Sequence, residues 1–535
     1  MKDTALMKST LLLIAALLLA GLSRLWAAEV RLSGIFCDHA VLQQDVPVPV
    51  WGWSAPGDTV TVEFAQQTKT ATADAAGKWQ VKLDPMPANA EPRHLIVKSK
   101  VTSVGLEVTD LVVGEVWLAS GQSNMHWTFA REHGIEHNEE ELNAARDPLV
   151  RQFTVLKRSS PGPFPSPNGQ WHACTRETLL KDGLWGDSAL AYLYARQLRQ
   201  KLGVPVGVIN ASMGGVAIEC WTSEEIQRKT PELRSLLESW DARQAAFEPV
   251  RTQQEAAYQA QLGTWREAVE KARAAGATLP APPPKPQDPR LDGKRPGNYF
   301  NAMIAPLIPY AIRGAIWYQG ESNARSAETG LLYRKQLPLL IGDWRARWGY
   351  GFPFAWVQLP NYSGGGVSQE GWVLVREAML KSLAVPKTGM AVAIDIGESK
   401  NIHPKNKQDV ARRLALWSLG EVYGHKVGAT SGPLPSRHKV RGNEIVVAFT
   451  DIAGGLAAKE GPLKGFEIAG ADRQWKPAAA RIEADKVIVS HPELKRPLAV
   501  RYAWAADPAC NLFNDAGLPA SPFRTDDWPV SATRK

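Results

Sequence analysis

A chain of 535 residues is too long for a single hydrophobic core, and about three folding units is typical of that length. With 44% hydrophobic and 22% charged residues it has an ordinary globular composition, which excludes a disordered or fibrous protein. The net charge of +8 is spread along the chain with no basic run, so nucleic acid is excluded as a partner.

Residues 1–28 read as a secretory signal peptide: Lys2 and Lys8 precede an apolar run over residues 11–22, and Ala27 and Ala28 offer small side chains for cleavage. The run is too short to cross a bilayer comfortably, so no membrane association is expected after its removal. Cleavage takes away three positive charges and one negative, lowering +8 to +6. The expected location is periplasmic or secreted. Cys37, Cys174, Cys220 and Cys510 are far apart and lack metal-type spacing; disulfides and buried thiols both fit.

Residues 29–110 alternate apolar and polar positions between turn residues, as at Val46, Val48, Val50 and Trp51, then residues 59–64 and 78–82, which predicts a small β-sandwich-like domain. Trp51, Trp53 and Trp79 fit either a sugar-stacking platform or a core, and the high average burial of tryptophan favours core.

Over residues 111–426 strand-like runs alternate with amphipathic segments. The strands are expected at 113–119, 206–210, 314–318, 354–358 and 390–395, and the helices include 189–202 and 331–348. Near-continuous apolar strands separated by helices imply a parallel sheet covered on both faces, in which ligands bind beyond the carboxyl ends of the strands. Residues 223–298 interrupt this pattern with a charged, helix-prone and then proline-rich insertion, expected as a helical hairpin, a lid or a solvated decoration. From 427 to 535 alternating segments return, at 444–449, 486–490 and 498–503, and predict a C-terminal β-rich domain.

The loops after the central strands carry the chemistry. The run of residues 116–119 ends at Gly121, and Ser123 follows on the turn, where its hydroxyl can face a cleft. A serine needs a base before it attacks, a group that orients the base, and donors for the oxyanion. Gly214 and Gly215 follow the strand at 206–210 and let backbone N–H groups approach a ligand closely. Gln319, Glu321 and Asn323 occupy the turn after Tyr318. His403 stands just before the amphipathic segment 405–423.

Together Gly-Gln-Ser-Asn-Met at 121–125, Gly-Gly with Ile-Glu-Cys-Trp at 214–221, Trp-Tyr-Gln-Gly-Glu-Ser-Asn at 317–323 and Ile-His-Pro with Lys407 at 402–407 resemble the sialate O-acetylesterase family, of the SGNH hydrolase superfamily and related to acetylxylan esterases. Residues 41–43, 50–53 and 511–524 resemble its flanking regions. The resemblance implies an SGNH-type three-layer α/β/α parallel sheet with β-rich domains on either side. It implies a serine esterase that removes O-acetyl groups from carbohydrate through an acyl-enzyme, with no metal or cofactor. In that reading Ser123 is the nucleophile and His403 the general base. Many SGNH hydrolases place an aspartate three residues before the histidine, where this chain has Lys400. The related acetylxylan esterases make Glu321 the expected orienting acid, with Asp395 and Glu398 as alternatives. The expected oxyanion donors are the Ser123 amide, an N–H of Gly214 or Gly215, and the Gln319 side chain, with Asn323 as substitute. Two rival readings are an acetylxylan or other glycan esterase and a non-catalytic carbohydrate-binding protein.

Overall fold

The computed structural model describes residues 29–102, 105–183 and 186–529, so the expected signal peptide lies outside the described residues. At the centre is an 11-stranded sheet whose main path runs Gly169–Ala173, Val150–Val155, Val206–Ser212, Gly105–Gly121, Gly314–Tyr318, Phe354–Gln358 and Thr388–Val392. Neighbours on this path are parallel, apart from the antiparallel outer pair 169–173 and 150–155.

Both faces of the central strands are covered, and their side chains are buried on each side. Trp117 and Ala119 point to a core shared with helices Ala189–Leu202 and Lys407–Trp417. Val116 and Leu118 point the other way, to a core shared with helices Ala327–Trp348 and Gln369–Ser382. Adjacent side chains on a strand face opposite ways, so one strand serves both layers and the fold is α/β/α. The helices begin at capping side chains: Ser188 accepts from Ala191 N, Ser368 from Gly371 N and Asn406 from Asp409 N. A capping box of Ser326 and Thr329 starts the helix at Ala327, four residues before the apolar pattern expected at 331.

The strand Gly105–Gly121 is continuous through Asp110, where the expected domain boundary falls. Its first part pairs with Asn89–Ser99 and Val41–Gln43, and its second part with the central strands. Trp51 and Trp79 are each 1% exposed and belong to the core, which removes the sugar-platform alternative for that pair. The insertion holds helices Arg234–Phe247 and Arg251–Ala274, and Glu248, Val250 and Arg251 between and beside them keep right-handed helical angles. The chain therefore continues as helix where a hairpin would turn. The proline-rich stretch returns along it, Pro280 O accepting from Trp265 Nε1 at 2.9 Å.

Beyond residue 427 two four-stranded antiparallel sheets and a two-stranded ribbon enclose a third core containing Ile445, Val447, Phe466, Val489 and Tyr502. Bonds from Gln358 Nε2 to Ser521 Oγ and from Arg524 to Glu377 tie this unit to the central one. All four cysteines are free thiols. Among the described residues no helix is long and apolar enough to cross a membrane.

Candidate active site

The turn that ends the long strand sets the position of Ser123. Gly121 has φ +136°, and a Cβ there would lie 2.1 Å from Tyr318 O, so only glycine lets the strand turn this close to its neighbour. Gln122 then anchors a short helix, Ser123–His126: its N–H donates to Tyr318 O and its carbonyl accepts from Met125 and His126. The Ser123 N–H is a first-turn amide, one of the groups for which a helix has no intrahelical partner. A Cβ on Gly214 would stand 3.5 Å from Ser123 Cβ, so the 213–215 turn lies beside the serine.

His403 Nε2 lies 2.8 Å from Ser123 Oγ. Although 280 residues apart in sequence, the two side chains meet because the strands that precede them are parallel and present their following loops at one edge. Trp127 stacks on the imidazole at 4.4 Å and 27°. Burial, then the charges of Lys407, Arg131 and His133, hold His403 down to about 4. It is neutral at physiological pH, so Nε2 can accept the serine proton.

Among the described residues no hydrogen bond joins His403 to a carboxylate, and Glu321, the expected orienting acid, meets Asn124 instead. Glu321 Oε1 accepts from Asn124 Nδ2 at 2.6 Å, while Oε2 is buried with no side-chain or backbone donor bonded to it among the described residues. The alternatives are committed elsewhere. Asp395 pairs with Arg413 through both oxygens, at 2.6 and 2.8 Å. Glu398 accepts from Lys405 N and Asn401 Nδ2, shaping the loop that carries the histidine.

Asn124, within the quoted Gly-Gln-Ser-Asn-Met run but assigned no role from sequence, occupies the junction. Its Nδ2 donates to Glu321 and also to Ile402 O at 3.0 Å, and its Oδ1 accepts from Lys407 Nζ at 2.6 Å. One amide thus ties the serine turn, the 321 turn and the histidine loop together, and Asn401 Oδ1 accepts from His403 N at 3.0 Å. Burial raises Glu321 from the usual carboxylate range and lowers Lys407 to about 7.

The amide of Gln319 does not reach the serine. Its Nε2 donates to Gln122 Oε1, Val216 O and Asn323 Oδ1, at 3.1, 3.3 and 2.8 Å. Asn323 Nδ2 in turn serves Glu219 and Gln336. Both side chains, expected as oxyanion donors, brace the loops through these bonds. Gly215 has φ +73°, a left-handed geometry that turns the chain beside the serine. A second histidine, His126, is 6% exposed and held neutral, at about 3, chiefly by burial. Among the described residues no three His, Cys, Asp or Glu side chains gather so as to hold a metal ion.

Residues 295–417 match the family model described as carbohydrate esterase, sialic acid-specific acetylesterase. Sialate O-acetylesterase of Mus musculus is 30% identical, covering 95% of this chain and 97% of the mouse protein. That of Homo sapiens is 28% identical over 92% of each. The crystal structure of a carbohydrate acetylesterase from Xanthomonas citri superimposes with a TM-score of 0.76 at 36% identity, covering 94% of this chain and 100% of the other. With a serine bonded to a neutral histidine at the strand ends and relatedness along nearly its whole length, the chain belongs to the sialate O-acetylesterase family and is a carboxylic ester hydrolase.

Proposed function

We propose that the chain hydrolyses O-acetyl esters of sialic acids, with Ser123 as nucleophile and His403 as base, through an acetyl-enzyme. The observation that carries this reading is the 2.8 Å contact between Ser123 Oγ and the neutral His403 Nε2. Ser123 Oγ attacks the ester carbonyl as its proton passes to Nε2, and the amides of Ser123 and Gly214 receive the oxyanion. His403 then returns the proton to the leaving sugar oxygen, leaving acetate esterified to Ser123. Water, deprotonated by the same imidazole, releases it. In this reading the Trp127 stack orients the ring, while the bonds of Asn401 to His403 N and of Asn124 to Ile402 O hold the backbone that carries it. The substrate class rests on the relatives' names and the matched family description.

Acetate release measured across acetylated sialic acids, acetylated xylan fragments and other acetylated glycans tests this. The highest kcat/KM is expected on the sialic acids. A clear preference for xylan fragments moves the assignment to an acetylxylan-type esterase, and no release from any of them ends the esterase reading. Export is part of the proposal, supported by Lys2, Lys8, the apolar run 11–22 and Ala27-Ala28. N-terminal sequencing of the protein recovered outside the cytoplasm is expected to begin at Glu29; an intact Met1 or Met7 there contradicts it.

A further inference from the structure

Away from Ser123, a groove of about 820 Å³ opens between helix Gln369–Ser382 and the C-terminal β unit, within the size range of small-molecule sites. Three half-buried tryptophans, Trp475, Trp504 and Trp528, line it. Trp475 and Trp528 lie 5.5 Å apart and tilted by 49°. Each ring carries a guanidinium: Arg501 at 4.4 Å from Trp475, Arg524 at 5.3 Å from Trp504 and Arg473 at 5.3 Å from Trp528.

Arg501 and Arg524 are fixed in place. Arg501 donates to Glu467 at 2.7 Å, and Arg524 pairs with Glu377 at 2.9 Å and with Asp526 at 3.2 Å. The guanidiniums over Trp475 and Trp504 are therefore held by carboxylates. Asp526 also lines the groove. Its side chain is only 4% exposed, and while Oδ1 accepts from Arg524 and the Trp528 N–H, Oδ2 is buried with no donor among the described residues. A carboxylate oxygen left this way costs free energy that a hydroxyl donor would recover.

Aromatic faces beside a carboxylate acceptor and fixed guanidinium donors suit a pyranose, whose C–H face is apolar and whose edge is a ring of hydroxyls. We infer that this groove is a second carbohydrate site, which takes a pyranose unit of a glycan by stacking on the tryptophans while a sugar hydroxyl donates to Asp526 Oδ2. The site is distinct from the ester-cleaving centre and does not rest on the esterase reading, yet the two are linked through the chain. Trp504, Ala505 and Ala506 line the groove, and the next residue, Asp507, accepts from Asn361 Nδ2 at 3.0 Å. Asn361 Oδ1 accepts from Gly397 N at 2.9 Å, at the start of the loop that leads to His403. A glycan held here is thus anchored on the segment that braces the histidine loop.

Calorimetric titration of the full native chain with non-acetylated xylo-oligosaccharide, cello-oligosaccharide and sialyllactose tests the inference, since no ester is present to be cleaved. Binding of at least one is expected, and Trp475→Ala, which removes a stacking face, and Asp526→Asn, which removes a charged acceptor, are each expected to weaken it by about tenfold or more. Hydrolysis of p-nitrophenyl acetate by both variants is expected to stay within about twofold of native, which also reports that they fold. Absence of binding to all three probes, or native affinity in both variants, overturns the proposal. A failure of the Ser123 assignment would leave these binding results unchanged.

Discussion

Ser123→Ala is expected to lower kcat for acetate release by about 10⁴-fold or more, the scale seen when the nucleophile of such a pair is removed. The variant should fold, because among the described residues the hydroxyl's one hydrogen bond is to His403, and a single such bond contributes only about 1 kcal/mol. Substrate affinity should survive, so the loss falls on kcat with KM little altered. A variant that retains native kcat removes Ser123 from the chemistry, and one that fails to fold would assign the hydroxyl a structural role that its single contact does not support.

Asn124 and Lys407 carry the second large effect. Asn124→Ala removes an amide from Glu321, Ile402 O and Lys407 at once, stranding a buried carboxylate and a buried amine. The expected cost in stability is about 3 kcal/mol, and the expected fall in kcat is about 10²-fold, the penalty of a misplacement near 1 Å. Lys407→Met separates positioning from mere packing. The acid limb of kcat/KM reports the imidazole of the free enzyme, and activity is lost as pH falls through that value because protonated His403 cannot accept the serine proton. In the native chain the limb should lie near 4, far below the usual 6.5. The groups holding it low are burial, Lys407, Arg131 and His133; removing the Lys407 charge should move the limb upward. A reduced rate with the acid limb unmoved would mean that Lys407 supports the fold and does not act on the histidine.

The sheet was legible because its strands are short apolar runs: Gly314–Tyr318 and Phe354–Gln358 lie where the pattern places them. Val150–Val155 escaped notice because it is fully buried yet contains Arg151, Gln152 and Thr154, side chains whose bonding only the fold reveals. Arg151 reaches Asp110, and Thr154 donates to Asp187. The last central strand ends at Val392, and Asp395 is drawn away by Arg413 from the helix that follows.

At the site, the serine and histidine could be read from their places at loop ends, whereas the partners of each polar side chain could not. Glu321 and Gln319 sit on the expected turn, but hydrogen bonds are allotted by which donor lies within about 3 Å, and spacing along the chain does not contain that. Asn124 and Lys407, both inside the motifs, take the two ends of one amide and leave Glu321 facing Asn124 in place of the imidazole. The three tryptophans of the C-terminal groove come from separate loops, so no periodic pattern joins them.

In the proposed mechanism a covalent acetyl group passes through Ser123. Rapid quenching of the enzyme during turnover of an activated acetyl ester, followed by peptide mass spectrometry, is predicted to find one acetyl group per chain on the peptide containing Ser123, and none there in Ser123→Ala. Acetate released at the native rate with no acetylated Ser123 at any time, or acetyl accumulating on another side chain, would contradict it.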